Sequence, residues 1–357
     1  MPTVLSPQNP RIERVRDLRA ARARRERGRF MLEGPTLLAE ARRSGIAIEE
    51  LYLTEAAATA HVDLVGDAER AGAQTFIVPE RTLARMSDVE TSTGLLAIAV
   101  MPAHTLEAIL ALPGPVLLLA GINDPGNAGT LVRSAEAFAA AGVLFGRGGA
   151  DPFAPKVVRA AMGSLFRLPV ASVSAEELLP AAAAAGRPVI AATLEGEPLA
   201  GADLPTRAVL AIGNERHGVA GFLPRWDRSV RIEQTGAAES LNAAVAGSIA
   251  LYAMFRKAVL VKTWRRLSTG GILRSDFPRT HPRPREESST DAYFGTFLET
   301  VRHDRVGQRL SGLPAAESRR TERGVARRTT RGGTMIRPKD AWSKDRAFCF
   351  VQQRRSE

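Results

Sequence analysis

The segment INDPGNAGTLVRSAEAF, residues 122–138, places polar side chains where a phosphate could bind. An apolar run, VLLLA, leads through a Pro-Gly turn into an amphipathic helix, for which Asn127 is the predicted N-cap. Arg133 follows about two turns into the helix, away from its apolar face. A cation near a helix N-terminus is unfavourable unless an anion accompanies it, and a phosphate would satisfy both the guanidinium and the helix amides. The competing interpretation is an ordinary strand–turn–helix junction with a solvated arginine.

A second polar loop lies within AIGNERHGVAGF, residues 211–222. Gly213 ends an apolar strand, and Glu215, Arg216 and His217 follow directly. Open parallel sheets bind ligands at the carboxyl ends of their strands, so this position favours a functional loop. The motif is weak on its own, because a single histidine between arginine and glycine is more typical of a surface residue.

A third candidate is RIEQTGAAESLNAAVAGSIALYAMF, residues 231–255. A strand ends here, and Ser240 is the predicted N-cap of a strongly apolar helix. The amides of Leu241 and Asn242 would then point outward and could bind a ligand. The alternative is a well-capped core helix with no further role.

Composition excludes several classes of protein. The single cysteine, Cys349, rules out an intramolecular disulfide, which predicts a reducing, cytoplasmic setting. It also rules out a zinc site made of cysteines, and the five histidines are not clustered, so we predict no bound metal. The absence of GxxxxGK[ST], and of GxGxxG between a strand and a helix, disfavours P-loop hydrolysis and an ordinary dinucleotide site. The sequence contains neither the apolar region of a signal peptide nor an apolar stretch of about 18 residues, so no membrane association is expected.

The net charge of +11 comes entirely from the C-terminal end of the chain. Residues 261–357 carry 22 lysines and arginines against 11 acids, whereas residues 1–260 carry 27 of each sign. Within that balanced part, residues 1–30 hold nine arginines against three acids. The folded part is therefore locally basic at its start.

The order of the predicted elements indicates an α/β protein. Residues 9–30 are predicted to form one helix, with Ile12, Val15 and Leu18 on one face, and a second helix closed by Gly45 follows. From residue 116, continuous apolar strands alternate with helices, which favours a parallel sheet covered on both faces. The predicted strands are IEELYLT, QTFIVP and GLLAIAV, then VLLLA, GVLFG, RPVIAAT, AVLAIG and SVRIE, and the later helices lie near 128–141, 155–163, 175–185 and 240–257.

We divide the chain into an α/β domain at 1–105, a linker at 106–115, a second α/β domain at 116–258 and a tail at 259–357. The tail is rich in Arg, Pro, Ser, Thr and Gly without a sustained period, which predicts disorder, and AYFGTFLETV is its one segment with helical potential. A salt-sensitive RNA arm and an out-of-frame extension are both compatible with this composition.

The three loops, taken in order, resemble a known family. NDPGNAGTLVRSAEAF, LAIGNERHGV and IEQTGAAESLNAAVAGSIALY are similar to the three motifs of the SpoU (TrmH-type) RNA 2′-O-ribose methyltransferases of the SPOUT superfamily. DPFAPKVVRAAMGSLFRLPV fits the segment between the first two motifs, and SPQNPRIERVRDL with RFMLEGPTLLAEA resembles the RNA-binding extension of rRNA-modifying members. The resemblance covers about residues 5–257, and it departs from the family at Glu233-Gln234, where Pro-Met is usual.

The resemblance implies a specific architecture. A SPOUT-type parallel-sheet methyltransferase domain with a trefoil knot would occupy 116–258, after a smaller α/β ribosomal-protein-like RNA-binding domain at 1–105. Knots are rare among folds, and periodicity alone does not predict one. The resemblance also implies an obligate homodimer with a substrate site shared between the subunits.

The resemblance further implies a cofactor and site residues. S-adenosyl-L-methionine would lie in the knot, held mostly by backbone, at Thr193, Leu194, Gly213, Ile232, Ser240 and Leu241. The family's catalytic positions fall on Asn127, Arg133 and Glu215, with Asn242 near them. A guanidinium has no acceptor atom, so we expect Arg133 to clamp a neighbouring phosphate while the hydroxyl proton passes to a phosphate oxygen or water.

The function implied is methylation of a ribose 2′-hydroxyl, with large-subunit rRNA favoured over tRNA because of the N-terminal domain. The alternatives are a tRNA 2′-O-methyltransferase, a catalytically inactive RNA-binding or assembly protein, and a base-methylating SPOUT enzyme. We expect RNA contacts along the arginine-rich N-terminal segment and the segment between the first two motifs, at Arg11, Arg14, Arg22, Arg25, Lys156 and Arg159.

Overall fold

The structure, a computed structural model, describes residues 3–89, 91–235 and 240–269, with side chains as far as 256. The described residues belong to one compact unit, Met1–Phe277. The Gly-Ala turn at 236–239, the predicted helix at AYFGTFLETV and the predicted tail from 270 onward lie outside the described residues.

The N-terminal half is built on a five-stranded mixed sheet. Its strands are β1 (Thr3–Val4), β2 (Arg29–Glu33), β3 (Ile48–Leu53), β4 (Gln74–Ile77) and β5 (Leu95–Val100), and its helices are α1 (Pro10–Asp17), α2 (Ala21–Arg27), α3 (Pro35–Arg43), α4 (Glu55–Ala60), α5 (Val62–Arg70) and α6 (Glu80–Met86). The strand order is β1-β4-β3-β5-β2, with β5 antiparallel to both neighbours. The three strands predicted in this half are confirmed as β3, β4 and β5.

The prediction of one helix over residues 9–30 was wrong. The chain forms α1, breaks at Leu18–Ala20, forms α2 and then enters β2. Ala20 has an extended backbone, and the Arg24 side chain folds back to satisfy the carbonyl oxygens that the break leaves open. The predicted apolar face is confirmed, because Ile12, Val15 and Leu18 are all buried.

The C-terminal half is built on a six-stranded parallel sheet. Its strands are β6 (Val116–Ala120), β7 (Gly142–Gly146), β8 (Val170–Val173), β9 (Val189–Pro198), β10 (Val209–Gly213) and β11 (Arg228–Arg231), and its helices are α7 (Leu106–Ala111), α8 (Pro125–Ala137), α9 (Pro155–Ala161), α10 (Ala175–Ala184) and α11 (Ala243–Thr269). Every pairing is parallel, in the order β11-β9-β10-β6-β7-β8. The predicted parallel sheet is confirmed, although β8 had not been predicted.

Both faces of this sheet are buried, as the continuous apolar strands predicted. Alternate residues of β6 enter two different hydrophobic clusters, with Leu117 and Leu119 in one and Val116 and Leu118 in the other. Successive residues of a strand point to opposite faces, so this division places apolar cover on both sides.

Helix α11 is longer than predicted. It continues to Thr269, which is eleven residues into the segment predicted to be disordered from 259. No proline or glycine occurs between Gly247 and Gly270, so the sequence offers no strong helix-breaking residue in that interval.

The two sheets share one hydrophobic cluster, to which β2 and α9 contribute. The Phe30 ring of β2 packs against Phe153 and Phe166 of the C-terminal half, with ring centroids 5.0 and 6.1 Å apart. The division into domains at 106–115 stays a prediction, because both halves belong to one compact unit.

Ion pairs reinforce the contact between the sheets. Arg24, whose side chain is 3% exposed, donates to the carbonyl oxygens of Leu18 and Arg19 at 2.7 Å and lies 3.0 Å from the Asp151 carboxylate. Arg167 pairs with Glu40 of α3 at 2.7 Å and with Glu136 of α8. The hydrogen bond from Arg167 also holds the pKa of Glu136 below its usual value. These contacts join α2 and α3 to the C-terminal half.

In the described residues, no helix has the length and apolar character needed to cross a membrane.

Replacing Arg24 with methionine should lower the free energy of unfolding by about 3 kcal/mol, because it leaves two carbonyl oxygens without their donor and removes the nearest cation from the partly buried Asp151 carboxylate. Arg22→Met is the matched control, since Arg22 lies on the same helix but is 85% exposed in a pair with Glu26. Chemical denaturation of both variants measures the difference. Equal losses in the two would contradict the role given to Arg24.

Candidate active site

The order of strands reverses between β6 and β10. From β6 the chain adds β7 and β8 on one side, and then β9, β10 and β11 on the other. The loops that leave the carboxyl ends of β6 and β10 therefore diverge from neighbouring strands. Ligands of open parallel sheets bind at such a reversal point, and the first two predicted motifs both lie here.

The start of α8 differs from the prediction. Asp124, not Asn127, is the N-cap, and its carboxylate accepts the backbone N–H of Asn127 at 2.7 Å. Proline at Pro125, with its fixed φ and missing N–H, suits the first helical position and moves the start of the helix forward. Asn127 therefore lies in the first turn, which leaves its side chain free to contact other loops. Asn123 is exposed.

The start of α11 also differs from the prediction. Asn242, not Ser240, caps this helix, because its Oδ1 accepts the backbone N–H groups of Ala244 and Val245 at 2.9 and 3.2 Å. Ser240 and Leu241 precede the helix, with Ser240 exposed and Leu241 half-buried. The helix therefore begins two residues further along than predicted, and Asn242 satisfies two of its first amides.

Three of the four predicted catalytic side chains form one hydrogen-bonded cluster. Asn242 Nδ2 donates to Asn127 Oδ1 at 2.9 Å, and Asn127 Nδ2 donates to Glu215 Oε1 at 2.6 Å. The partners are 115 and 88 residues apart in the chain. The cluster thus joins the first turns of α8 and α11 to the loop after β10.

Sequence reasoning missed Asn214, which shapes the loop that carries Glu215. Its Oδ1 accepts the backbone N–H groups of Arg216 and His217 at 3.0 and 2.7 Å, and its Nδ2 donates to the Gly121 carbonyl oxygen at 3.2 Å. The side chain therefore ties the β10 loop to the end of β6. An asparagine directly after a strand-ending glycine is a turn signal that could have identified it.

Gly213 allows the same loop to fold back tightly. A Cβ at this position would lie 2.0 Å from the carbonyl carbon of Gly218 and 2.2 Å from the nitrogen of Val219. Both are backbone atoms, so a side chain here would push the loop away from the strand end.

Arg133, the fourth predicted catalytic residue, is exposed on α8. Its guanidinium forms no hydrogen bond or ion pair with the described residues. Helix α8 is fixed beside α11 by a 2.6 Å hydrogen bond between the Ser134 and Ser248 hydroxyls. At Gly247 a Cβ would lie 2.4 Å from Leu131, so the helices approach closely there. Arg133 is thus a cation without a partner in the described part of the chain, on a helix that packs closely against α11.

Four of the six predicted cofactor residues lie at the carboxyl edge of β11, β9 and β10. Between Ala191 and Glu197, β9 leaves its register with β11, and this excursion carries Thr193 and Leu194. The strand resumes its pairing with β11 at Glu197. Glycine at 196 permits this close approach, because a Cβ there would lie 2.4 Å from the Val230 nitrogen. Gly213 and Ile232 lie at the ends of the two neighbouring strands.

This edge suits a nucleoside ligand. Strand ends present backbone donors and acceptors, and Leu194 leaves an apolar side chain 66% exposed. Ile232 is half-buried against the core. Among the described residues, no three histidine, cysteine or acidic side chains come together as metal ligands would.

The predicted RNA-binding residues fall into two groups. Arg14, Arg25 and Lys156 are exposed, and Arg22 is exposed in its pair with Glu26. Their side chains are therefore accessible to a large ligand.

Arg11 and Arg159 are instead engaged within the protein. Arg11 pairs with Glu50 and stacks 4.8 Å from the centre of the Phe76 ring. Arg159 bonds Asp88 at 3.1 Å and lies 3.7 Å from the Glu33 carboxylate, so it joins α9 to the N-terminal sheet. Their assignment to RNA stays a prediction, and these contacts weigh against it.

Known proteins share this arrangement of sequence and fold. Residues 114–252 match the SpoU rRNA Methylase family, and residues 9–97 match the MRM3-like substrate binding domain. The 23S rRNA (guanosine(2553)-2′-O)-methyltransferase RlmP of Bacillus subtilis is 31% identical over 71% of this chain and 98% of its own length. The 23S rRNA (adenosine(1067)-2′-O)-methyltransferase of Streptomyces laurentii is 27% identical over 71% and 95%. The AdoMet-bound rRNA methyltransferase from Sinorhizobium meliloti superimposes with a TM-score of 0.63 at 28% identity, over 71% and 98% of the two chains.

The chain belongs to the SpoU rRNA methylase family. As a SpoU protein, it is an RNA 2′-O-methyltransferase that depends on S-adenosylmethionine. The predicted resemblance of the three motifs to those of the SpoU family is thereby confirmed. The family model begins just before β6 and ends within α11, so it includes the whole hydrogen-bonded cluster.

Two substitutions of Asn242 should separate helix capping from the organisation of the cluster. Asn242→Ala should lower the free energy of unfolding by about 1 kcal/mol, because it removes the cap of α11. Asn242→Asp keeps an acceptor for the two amides and should preserve stability. Since neither variant can donate to Asn127, both should lose RNA methylation.

Denaturation and methylation assays on the same preparations provide the measurement. Normal methylation by the stable Asn242→Asp variant would show that the donor to Asn127 is dispensable.

Proposed function

We propose that this protein methylates a ribose 2′-hydroxyl of large-subunit rRNA in the cytoplasm. The observation that carries the proposal is the cluster of Asn127, Glu215 and Asn242, which lies where ligands of parallel sheets bind. The resemblance of the motifs assigns catalytic roles to these same residues. Both relatives described above are named as methylating 23S rRNA, one at a guanosine and the other at an adenosine. The match of residues 9–97 to a substrate-binding domain also supports a large RNA.

S-adenosylmethionine would be held at the edge formed by β11, β9 and β10. Thr193, Leu194, Gly213 and Ile232 would surround it from the strand ends. Ser240 and Leu241 would contact it from the segment before α11. When bound, it supplies a methyl group on a sulfonium centre, whose positive charge disappears as the methyl is transferred. The protein therefore contributes mainly by aligning the hydroxyl with the methyl carbon.

Arg133 would hold the RNA phosphate next to the reacting ribose. Its guanidinium is exposed and unpaired within the described residues, so a phosphate would meet no competing internal partner. Two parallel N–H donors would fix both the position and the orientation of the phosphate. This geometry would aim the 2′-hydroxyl at the methyl group.

The RNA would extend from this site towards the N-terminal half. Lys156 and Arg25 provide exposed cations, and Arg25 lies 3.9 Å from Asp151 at the contact between the two sheets. Arg14 continues the basic surface on α1. Phosphate contacts of this kind position an RNA, and they leave base choice to other groups.

The protein would act as a homodimer in which α11 packs against a second copy. Val245, Ile249 and Tyr252 lie at helical spacing on α11 and are 47, 39 and 48% exposed. Apolar side chains of this size on one helix face are typical of an interface. Arg133 lies on the neighbouring helix, so the same face would bring the partner close to the site.

The proposed function is tested by mapping 2′-O-methyl marks in a strain that lacks the gene. One ribose of large-subunit rRNA should lose its mark, and the wild-type gene should restore it. Arg133→Lys should restore less than a tenth of the mark, because a lysine cannot make the paired contact to phosphate. Arg70→Lys, an exposed pair with Asp67 on α5, is the control and should restore the mark fully.

The outcomes distinguish the alternatives. A mark lost from tRNA, or a methyl group lost from a base, would overturn the proposed substrate. Full restoration by Arg133→Lys, with RNA affinity unchanged, would overturn only the role of Arg133.

The dimer is tested by Ile249→Arg, which places a charge in the centre of the proposed interface. Sedimentation should show a monomer for this variant and a dimer for the wild type. Val62→Arg, at a 65% exposed apolar position on α5, should remain a dimer. If the Ile249→Arg variant remains a dimer, the exposed face of α11 is not the dimer interface.

A further inference from the structure

The hydrogen bonds of the cluster have a fixed direction. Backbone N–H groups can only donate, so the bonds from Ala244 and Val245 identify the atom of Asn242 that they meet as its oxygen. The amide nitrogen of Asn242 must then face Asn127, and it donates to Asn127 Oδ1 at 2.9 Å. The amide nitrogen of Asn127 in turn faces Glu215 and donates to Oε1 at 2.6 Å.

The direction of these bonds gives Glu215 the role of an acceptor. One carboxylate oxygen, Oε1, is committed to Asn127, while Oε2 forms no hydrogen bond with the described residues. The side chain is also exposed, in the loop just beyond the carboxyl end of β10. The other predicted catalytic groups offer no such atom. The oxygens of Asn127 and Asn242 already accept hydrogen bonds, and the guanidinium of Arg133 has no acceptor.

We propose that Glu215 accepts the proton of the ribose 2′-hydroxyl through Oε2. This inference rests on the proposed function and assigns one of its steps to a single atom. The O–H bond breaks and the proton moves to Oε2, while the hydroxyl oxygen forms a bond to the methyl carbon. The bond between that carbon and sulfur breaks, and its electron pair stays on sulfur. The products are the 2′-O-methyl ribose, S-adenosylhomocysteine and a protonated Glu215, which returns its proton to water.

Two other titratable groups lie close enough to be rivals. Asp124 caps α8 through Oδ1, and its second oxygen makes no hydrogen bond with the described residues. His217 is exposed in the same loop as Glu215. The His217 ring forms no hydrogen bond with the described residues, so its orientation is less defined. The Asp124 carboxylate is held by the backbone N–H of Asn127 at 2.7 Å, and its task is to cap α8. The substitutions below separate both groups from Glu215.

The substitution Glu215→Gln tests the proposal, because glutamine keeps an oxygen for Asn127 and replaces only Oε2 with an amide nitrogen. Using rRNA from the deletion strain, the single-turnover rate of methyl transfer should fall by about 100-fold or more. Binding of S-adenosylhomocysteine, binding of the rRNA and the melting temperature should stay the same. Asp124→Asn, which still caps α8, and His217→Asn should keep rates within a few-fold of wild type.

Several results would overturn the proposal. A Glu215→Gln variant with a nearly normal rate would leave the proton to a phosphate oxygen or water, and a loss confined to Asp124→Asn or His217→Asn would assign it to that residue. A Glu215→Gln variant that no longer binds S-adenosylhomocysteine would show a role in cofactor binding instead. If the wild-type chain methylates no RNA, the proposed function fails together with this step.

A second variant provides an independent measurement. In Glu215→Ala, added formate should restore part of the methyl-transfer rate, because a free carboxylate can occupy the space left by the side chain. Formate should leave the wild-type rate unchanged. Absence of rescue at formate concentrations that leave the fold intact would contradict proton transfer to a carboxylate.

Discussion

A single constraint organises the candidate site: the backbone N–H groups at the start of α11 can only donate hydrogen bonds. They orient Asn242, which orients Asn127, which donates to the Glu215 carboxylate. The chain of bonds therefore transmits the polarity of a helix N-terminus to a carboxylate on another loop. Rotation of any member would therefore break at least one of these hydrogen bonds. This rigidity is the kind of preorganisation that an alignment-dependent methyl transfer requires.

The cluster depends on how closely the backbone segments approach one another. Glycine at 213 lets the β10 loop fold back to where Glu215 reaches α8, and glycine at 247 lets α11 approach α8. Asn214 then ties the β10 loop to the end of β6. These residues carry no reactive group. They set the distances at which Asn127 meets its two partners.

The contact between the two sheets extends this rigidity to the N-terminal half. Phe30 packs between two phenylalanines of the other half, and Arg24 reaches a carboxylate beyond its own helix. The arginines of the first thirty residues thus fall into two groups, those that stabilise the fold and those that are exposed to solvent. Arg24 and Arg11 stabilise the fold, whereas Arg14 and Arg25 stay exposed. An RNA held by the exposed ones would lie at a fixed position relative to Glu215.

The sequence by itself determined the fold class, the parallel sheet, the family and the identities of the polar residues in the three loops. Continuous apolar strands need cover on both faces, and the three motifs are specific in order and spacing. The sequence did not determine which polar residue caps each helix. Ser240 and Asn242 are both acceptable caps, and Asp124 and Asn127 likewise, so local propensity could not choose between them. The break after α1 depended on a buried arginine, which donates to two carbonyl oxygens of the break and pairs with a carboxylate in the other half of the fold. The tertiary structure alone decided that Asn127 lies between Asn242 and Glu215, because their hydrogen bonds join residues about a hundred positions apart.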